Sequence, residues 1–210
     1  MLSNKLIINY YNKTSKIDLE INITSHELLT FFIKQLSLNI FVTKQGEGLD
    51  NSYNIKTQTI CLSNDVFNSS SLSAITISMH ELGHALQHNK KSMLFYLFVV
   101  FSVLNKITST LLFPAILFLV VSLFLETIYL KIAIIIIFCF YLINLISRII
   151  IIPLEKNASK KAIELMKKYK ILNARELKIA QKLLNLACFT YIGGFFKNYR
   201  IILKKILRGF

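Results

Sequence analysis

Paired cysteines are the first thing this sequence does without. Cys61, Cys139 and Cys188 are an odd number with no CxxC spacing, and Cys139 lies inside an apolar stretch. They imply no disulfide framework and fit a reducing compartment. Acidic residues are scarce as well: 11 Asp and Glu stand against 25 Lys and Arg, a formal net charge of +14. Such a surplus invites a nucleic-acid reading, yet no zinc-finger, RRM or helix-turn-helix pattern accompanies it. The lysines come with isoleucine and asparagine, as a coding bias would give. They also flank apolar spans, as lysines do on the cytoplasmic faces of membrane proteins. No nucleic-acid partner is expected. A secretory leader is not evident either, because the apolar run from Leu6 to Tyr11 falls short of the about 7–15 residues of a signal-peptide core.

What the chain has in excess is apolar residues. They make up 54% of it and give a mean hydropathy of +0.53, where ordinary soluble domains run at about 45–50% apolar. With 210 residues the chain has room for one modest domain, and the excess lies between Met93 and Leu154. Leu111 to Leu125 and Ile128 to Ile152 are long enough, with their flanks, to cross a hydrocarbon core of about 30 Å. Met93 to Leu104 is shorter, about 18 Å as a helix, and is expected to break at Asn105-Lys106. Few polar residues, among them Glu126, Thr127 and Lys131, mark the junction of the two spans. The pattern predicts a transmembrane helical hairpin, with Pro153 marking the exit from lipid. The expected fold class is mainly α with a small β element (α+β), in an integral membrane protein. Its expected parts are an N-terminal half (1–92), the hairpin (93–154) and a second half (155–210).

Residues 1–23 alternate loosely and read as a strand or two. Thr24-Ser-His-Glu27 is a capping box ahead of an amphipathic helix from Leu28 to Leu38. Asn39 to Thr43 and Thr57 to Leu62 read as strands, joined by a loop carrying Gly46, Gly48 and Asp50. Asn68 to Ser71 is a cluster of N-cap residues. After it, Leu72, Ile75, Met79, Leu82 and Leu86 recur at helical spacing, so Leu72 to His88 is expected to be a helix. Beyond the hairpin, residues 155–182 are polar, Lys-rich and helix-compatible. Apolar and basic residues mix over 183–208, which predicts a helix lying in the membrane interface rather than a third crossing.

The helix from Leu72 carries the stretch ISMHELGHALQH, Ile77 to His88, with three of the four histidines, each four residues from the next. His80 and His84 are one turn apart, about 5.4 Å, so their imidazoles leave one face and can converge on one ion. Glu81, rotated by about 100° from His80, is no third ligand beside them but can reach a metal-bound water. That is the HExxH arrangement of zinc peptidases. Five positions with three fixed residues also match by chance; a capped helix following a strand is the context that favours a site. Gly83 lets another segment or a substrate approach closely. His88 stands about 12 Å from His80 along the axis, too far to share the ion on an intact helix. The metzincin pattern is excluded, because its Gly and third His would fall at Gln87 and Lys90. His88 reads as a group supporting the ligands or as a cation at the helix C-terminus.

A catalytic zinc needs three protein ligands and an open position. No later histidine exists, so an acid must supply the third. Four acids follow the motif. Glu126 lies at the far turn of the hairpin, and Glu164 and Glu176 sit among exposed lysines. Glu155 is the first polar residue after the second crossing, and two crossings return the chain to its starting side. Glu155 is therefore the candidate; the competing reading is an interfacial charge paired with Lys156 or Lys160. Ser159, at i+4 from Glu155, shares its face and can orient a ligand histidine.

These blocks together resemble the YugP-like neutral zinc metallopeptidases of bacterial membranes. The resemblance rests on the strand from Thr57, Val66 to Ile75, His-Glu-Leu-Gly-His-Ala-Leu-Gln-His, the apolar hairpin, Ile152-Pro-Leu-Glu-Lys-Asn-Ala-Ser-Lys-Lys-Ala162 and Ala187 to Tyr191. It implies a gluzincin-like zinc site in two halves separated by the hairpin, with Zn2+ held by His80, His84 and Glu155 and with Glu81 catalytic. Related membrane gluzincins place Asp where Ser159 stands. The expected reaction is peptide hydrolysis, with Glu81 as general base and with Tyr53, His88 or Tyr191 as further donors to the oxyanion. Nearly all Lys and Arg flank the hairpin on the site side. The positive-inside rule therefore predicts a multi-pass protein of the cell membrane with its site facing the cytoplasm, acting on cytoplasmic or membrane-surface proteins. Two alternatives are an intramembrane protease, disfavoured by the polar flanks Ser70-Ser71 and Lys90-Lys91, and a non-enzymatic membrane scaffold with a structural or degenerate metal site.

Overall fold

Residues that read as strands at the N-terminus form a helix instead, α1 (Leu2–Thr14), in a computed structural model that describes residues 2–46 and 50–188. Loose alternation loses to helical spacing here. Ile7, Tyr10, Tyr11 and Thr14 stand at i, i+3, i+4 and i+7, and these are the residues of that run that are buried or half-buried. Such spacing lines one face of a helix.

Helix α2 (Ser25–Gln35) follows with its expected capping box: the Thr24 hydroxyl accepts from the Glu27 N–H, and the Glu27 carboxylate accepts from the Thr24 N–H. Strands β1 (Phe41–Lys44), β2 (Ser52–Asn54) and β3 (Thr59–Leu62) make a sheet in the order β1-β3-β2. β1 runs parallel to β3, whereas β2 is antiparallel to it with Tyr53 opposite Ile60. β2 lies in what the sequence suggests is loop. It pairs because Asn54 Oδ1 accepts from the Lys56 and Thr57 N–H groups and Gln58 takes φ 51°, which turns the chain back into β3.

After the short α3 (Asn64–Phe67), helix α4 (Leu72–Asn89) begins at Ser71, whose hydroxyl accepts from the Ala74 N–H. α4 is central, with Leu72, Ile75, Met79 and Leu82 fully or nearly fully buried. They pack with Leu29 and Phe32 of α2, Ile60 and Leu62 of β3, and Ala162, Met166, Ala180 and Leu184 from the C-terminal part of the chain.

The chain divides into two compact units, Met1–Ser92 with Glu155–Phe210 and Met93–Leu154. Helix α5 (Met93–Ser122) is continuous, without the expected break at Asn105-Lys106. Neither residue lacks an N–H or clashes with the preceding turn, so their helix penalty is a few tenths of a kcal/mol, roughly, against about 3 for proline. The Asn105 side-chain oxygen Oδ1 accepts from Asn144 Nδ2 at 2.7 Å. Helix α6 (Thr127–Lys168) includes Pro153. α5 and α6 are both long and apolar enough to cross a membrane. Residues 174–188 form a further helix, and the interfacial helix expected over 183–208 falls largely outside the described residues.

Candidate metal centre

The two histidines and Glu155 meet, although 75 residues separate His80 from Glu155. His80 Nε2 lies 3.1 Å from Glu155 Oε2, His84 Nε2 lies 3.5 Å from the same oxygen, and the two Nε2 atoms are 3.2 Å apart. Among the described residues these three form the group of His, Cys, Asp and Glu side chains able to hold a metal, with their ligand atoms within 4.8 Å of one another. Ligands about 2.0–2.1 Å from a tetrahedral zinc stand about 3.3–3.4 Å from each other. The spacing and the N, N, O donor set fit zinc.

The chain builds this convergence from two helices. α4 supplies both imidazoles, their rings 4.7 Å apart and nearly perpendicular at 84°. α6 supplies Glu155, and the two helices cross backbone to backbone at Gly83. A Cβ on Gly83 would lie 2.4 Å from the Ala158 carbonyl oxygen. The close approach anticipated at this glycine is therefore made by the helix that carries the third candidate ligand.

The outer nitrogens of both rings are engaged. Ser159 Oγ lies 3.2 Å from His80 Nδ1, in the orienting position expected for it. His84 Nδ1 lies 3.1 Å from Gln87 Oε1, and Gln87 Nε2 donates to Asn157 Oδ1 at 3.0 Å. Gln87 and Asn157 escaped the sequence reading. The available signal was the spacing, since Gln87 is three residues from His84 and so lies on the adjacent turn.

Electrostatics sharpen the picture. Burial pushes the Glu155 carboxyl up, but hydrogen bonds from His80 and His84 and the charge of their rings outweigh it and hold it at about 2. It is an anion at neutral pH. Its neighbours are the imidazoles and not Lys156 or Lys160; Lys160 lies 3.8 Å from Glu164 on the exposed face. Glu176 is occupied at a helix start, where its carboxylate accepts from the Asn173 N–H at 2.7 Å. For His84, burial favours the neutral ring, but the Glu155 hydrogen bond and the charges of Glu81 and Glu155 prevail and raise its pKa. Glu81 is 7% exposed. Burial raises its pKa most, the two histidines oppose this, Glu155 adds to it, and the Tyr53 backbone N–H lowers it. Of the three oxyanion candidates, Tyr53 and His88 bond to each other, with Tyr53 Oη 2.8 Å from His88 Nδ1. Tyr191 lies outside the described residues.

Two imidazoles and a buried carboxylate on crossed helices, with a second carboxylate beside them, make a group that could hold a divalent metal. A sequence model of the family described as "putative neutral zinc metallopeptidase" matches residues 1–208, and the chain belongs to that family. Compared with curated proteins and with solved structures, the chain has no match.

Proposed function

We propose that this protein is a membrane-bound zinc endopeptidase whose metal is held by His80, His84 and Glu155 and whose general base is Glu81. The observation that carries the reading is the convergence of the three ligand atoms within 4.8 Å. Zinc bound there would act as a Lewis acid on the scissile carbonyl and bring the pKa of a water near 7. Glu81 takes the proton from the attacking water and returns it to the leaving amine. Its near-complete burial and its hydrogen bond from the Tyr53 N–H keep the carboxylate in one place. Ser159 and Gln87 hold the imidazoles by their outer nitrogens. Among the described residues no fourth acid, histidine or cysteine joins the ligand group, which supports an open position and a catalytic role over a closed structural site.

The length and apolar character of α5 and α6 support two membrane crossings. The concentration of lysines outside the hairpin supports a cytoplasmic site, with proteins or peptides at the membrane surface as substrates. The test is to purify the chain in detergent, count bound zinc, and compare casein cleavage by wild type and Glu81→Gln. Zinc should be retained while turnover falls by about 10²–10⁴-fold; equal activity in both overturns the role of Glu81. Glu155→Ala should lower zinc content, and Glu164→Ala should not.

A further inference from the structure

Gln87 has no exposed surface, although it lies two residues from the exposed end of α4. A buried primary amide is costly unless its oxygen and its N–H groups find partners. Here the oxygen faces His84 Nδ1 at 3.1 Å and the nitrogen donates to Asn157 Oδ1 at 3.0 Å. These two bonds are directionally linked. With Asn157 offering its oxygen to the Gln87 nitrogen, Gln87 turns its own oxygen to His84, an arrangement that favours the proton on Nδ1 of that ring. Nε2, the atom that faces His80 and Glu155, is then the nitrogen that can give up its proton and offer a lone pair to a cation. Turned over, the same chain of bonds would donate into Nδ1, put the proton on Nε2 and leave His84 nothing to offer a cation.

Asn157 sits on α6 between Glu155 and Ser159, beside the Ala158 carbonyl that packs on Gly83. One turn of α6 therefore presents the carboxylate, holds His80 directly through Ser159, and holds His84 indirectly through Asn157 and Gln87.

We propose that Gln87, braced by Asn157, is a positioning residue that selects the His84 tautomer able to bind metal. The proposal rests on the metal centre described above but not on the reaction carried out there. Partners of this kind, bonded to the outer nitrogen of a ligand histidine, typically set metal affinity by about 10–100-fold.

The experiment measures zinc affinity by chelator competition on the full chain in detergent. Gln87→Met keeps the volume and removes both bonds, so affinity should fall by about 10–100-fold. Gln87→Glu still accepts the Nδ1 proton and should stay much nearer wild type. A residue that merely filled space would give the reverse order, because Met fits a dry pocket and a buried carboxylate does not. Met at wild-type affinity, or Glu falling as far as Met, overturns the proposal. Should Gln87→Met fail to fold, Asn157→Ala leaves Gln87 in place and removes its brace; zinc affinity must then drop, and an unchanged value overturns the proposal. A wild type that binds zinc through His80, His84 and Glu155 but cleaves no peptide would end the peptidase reading and leave this one standing. A wild type that binds no zinc ends both.

Discussion

Phenylalanine is used in opposite ways by the two units. In the unit that holds the candidate ligands, Phe32 has no exposed surface and meets the Tyr169 ring edge-on at 5.0 Å. In the other, Phe113 and Phe124 are 77% and 85% exposed, amid a long series of outward Leu, Ile and Val side chains. The first unit gathers His80, His84, Glu155, Ser159 and Gln87 into one connected group, and the second turns Asn105 and Asn144 toward each other. A unit folded for water hides apolar surface, and one folded for lipid hides polar groups, because each follows its own solvent. The difference is the one expected if α5 and residues 127–154 of α6 face lipid, as proposed above.

The sharpest way to break that comparison is to truncate the same side chain on both sides of it. Phe32→Ala should destabilise the first unit by about 3–5 kcal/mol, the usual loss for emptying a core ring site. Phe113→Ala should change stability by less than about 0.5 kcal/mol, as at a position whose side chain is mostly uncovered by protein. Unfolding in detergent, followed by near-ultraviolet circular dichroism, measures both. Equal losses would mean that Phe113 is covered by protein and would count against a lipid-facing surface.

Gly83→Ala has a smaller expected effect within the first unit. Alanine would gain up to about 1 kcal/mol in helix propensity. The added carbon, however, meets the backbone oxygen of Ala158 at 2.4 Å, and backbone cannot swing aside. Overpacking of this kind costs about 1–3 kcal/mol, so the net change should be a loss. It should also separate Glu155 from the imidazoles and lower zinc affinity at nearly unchanged helix content. A stabilised variant with full zinc affinity would show that the crossing is looser than described.

Why some of this was legible in sequence and some was not follows from the range of the interactions. Local chemistry is written locally: Thr24 with Glu27 marks a helix start, Ser71 caps α4, and the four-residue step from His80 to His84 puts two rings on one face. Glu155 was reachable because so few acids follow the motif and the spans between have the length of crossings. α1 was missed because loose alternation and helical spacing coexist over residues 6–14, and only tertiary contact decides between them. β2 has three residues, too few to show a period, and exists because β3 lies beside it. Gln87 and Asn157 are polar residues on helices, common by themselves. Their pairing across 70 residues becomes visible once Gly83 has brought the two backbones together.

The smallest expected effect probes the second unit alone. Asn144 Nδ2 donates to Asn105 Oδ1 at 2.7 Å, joining the two helices of the hairpin. In hydrocarbon neither amide has water to fall back on, so the pair should show a real coupling, yet such bonds average only about 0.6 kcal/mol, with a maximum near 1.7. In water both amides would be solvated when parted, and the coupling would shrink toward zero. A double-mutant cycle over Asn105→Leu and Asn144→Leu isolates this quantity from whatever else each residue touches. Measured by reversible unfolding in bicelles, a coupling of about 0.6 kcal/mol or more is expected for amides shielded by lipid. A value indistinguishable from zero would mean that water reaches this level of the hairpin, which would count against the proposed placement of Asn105 and Asn144 in lipid.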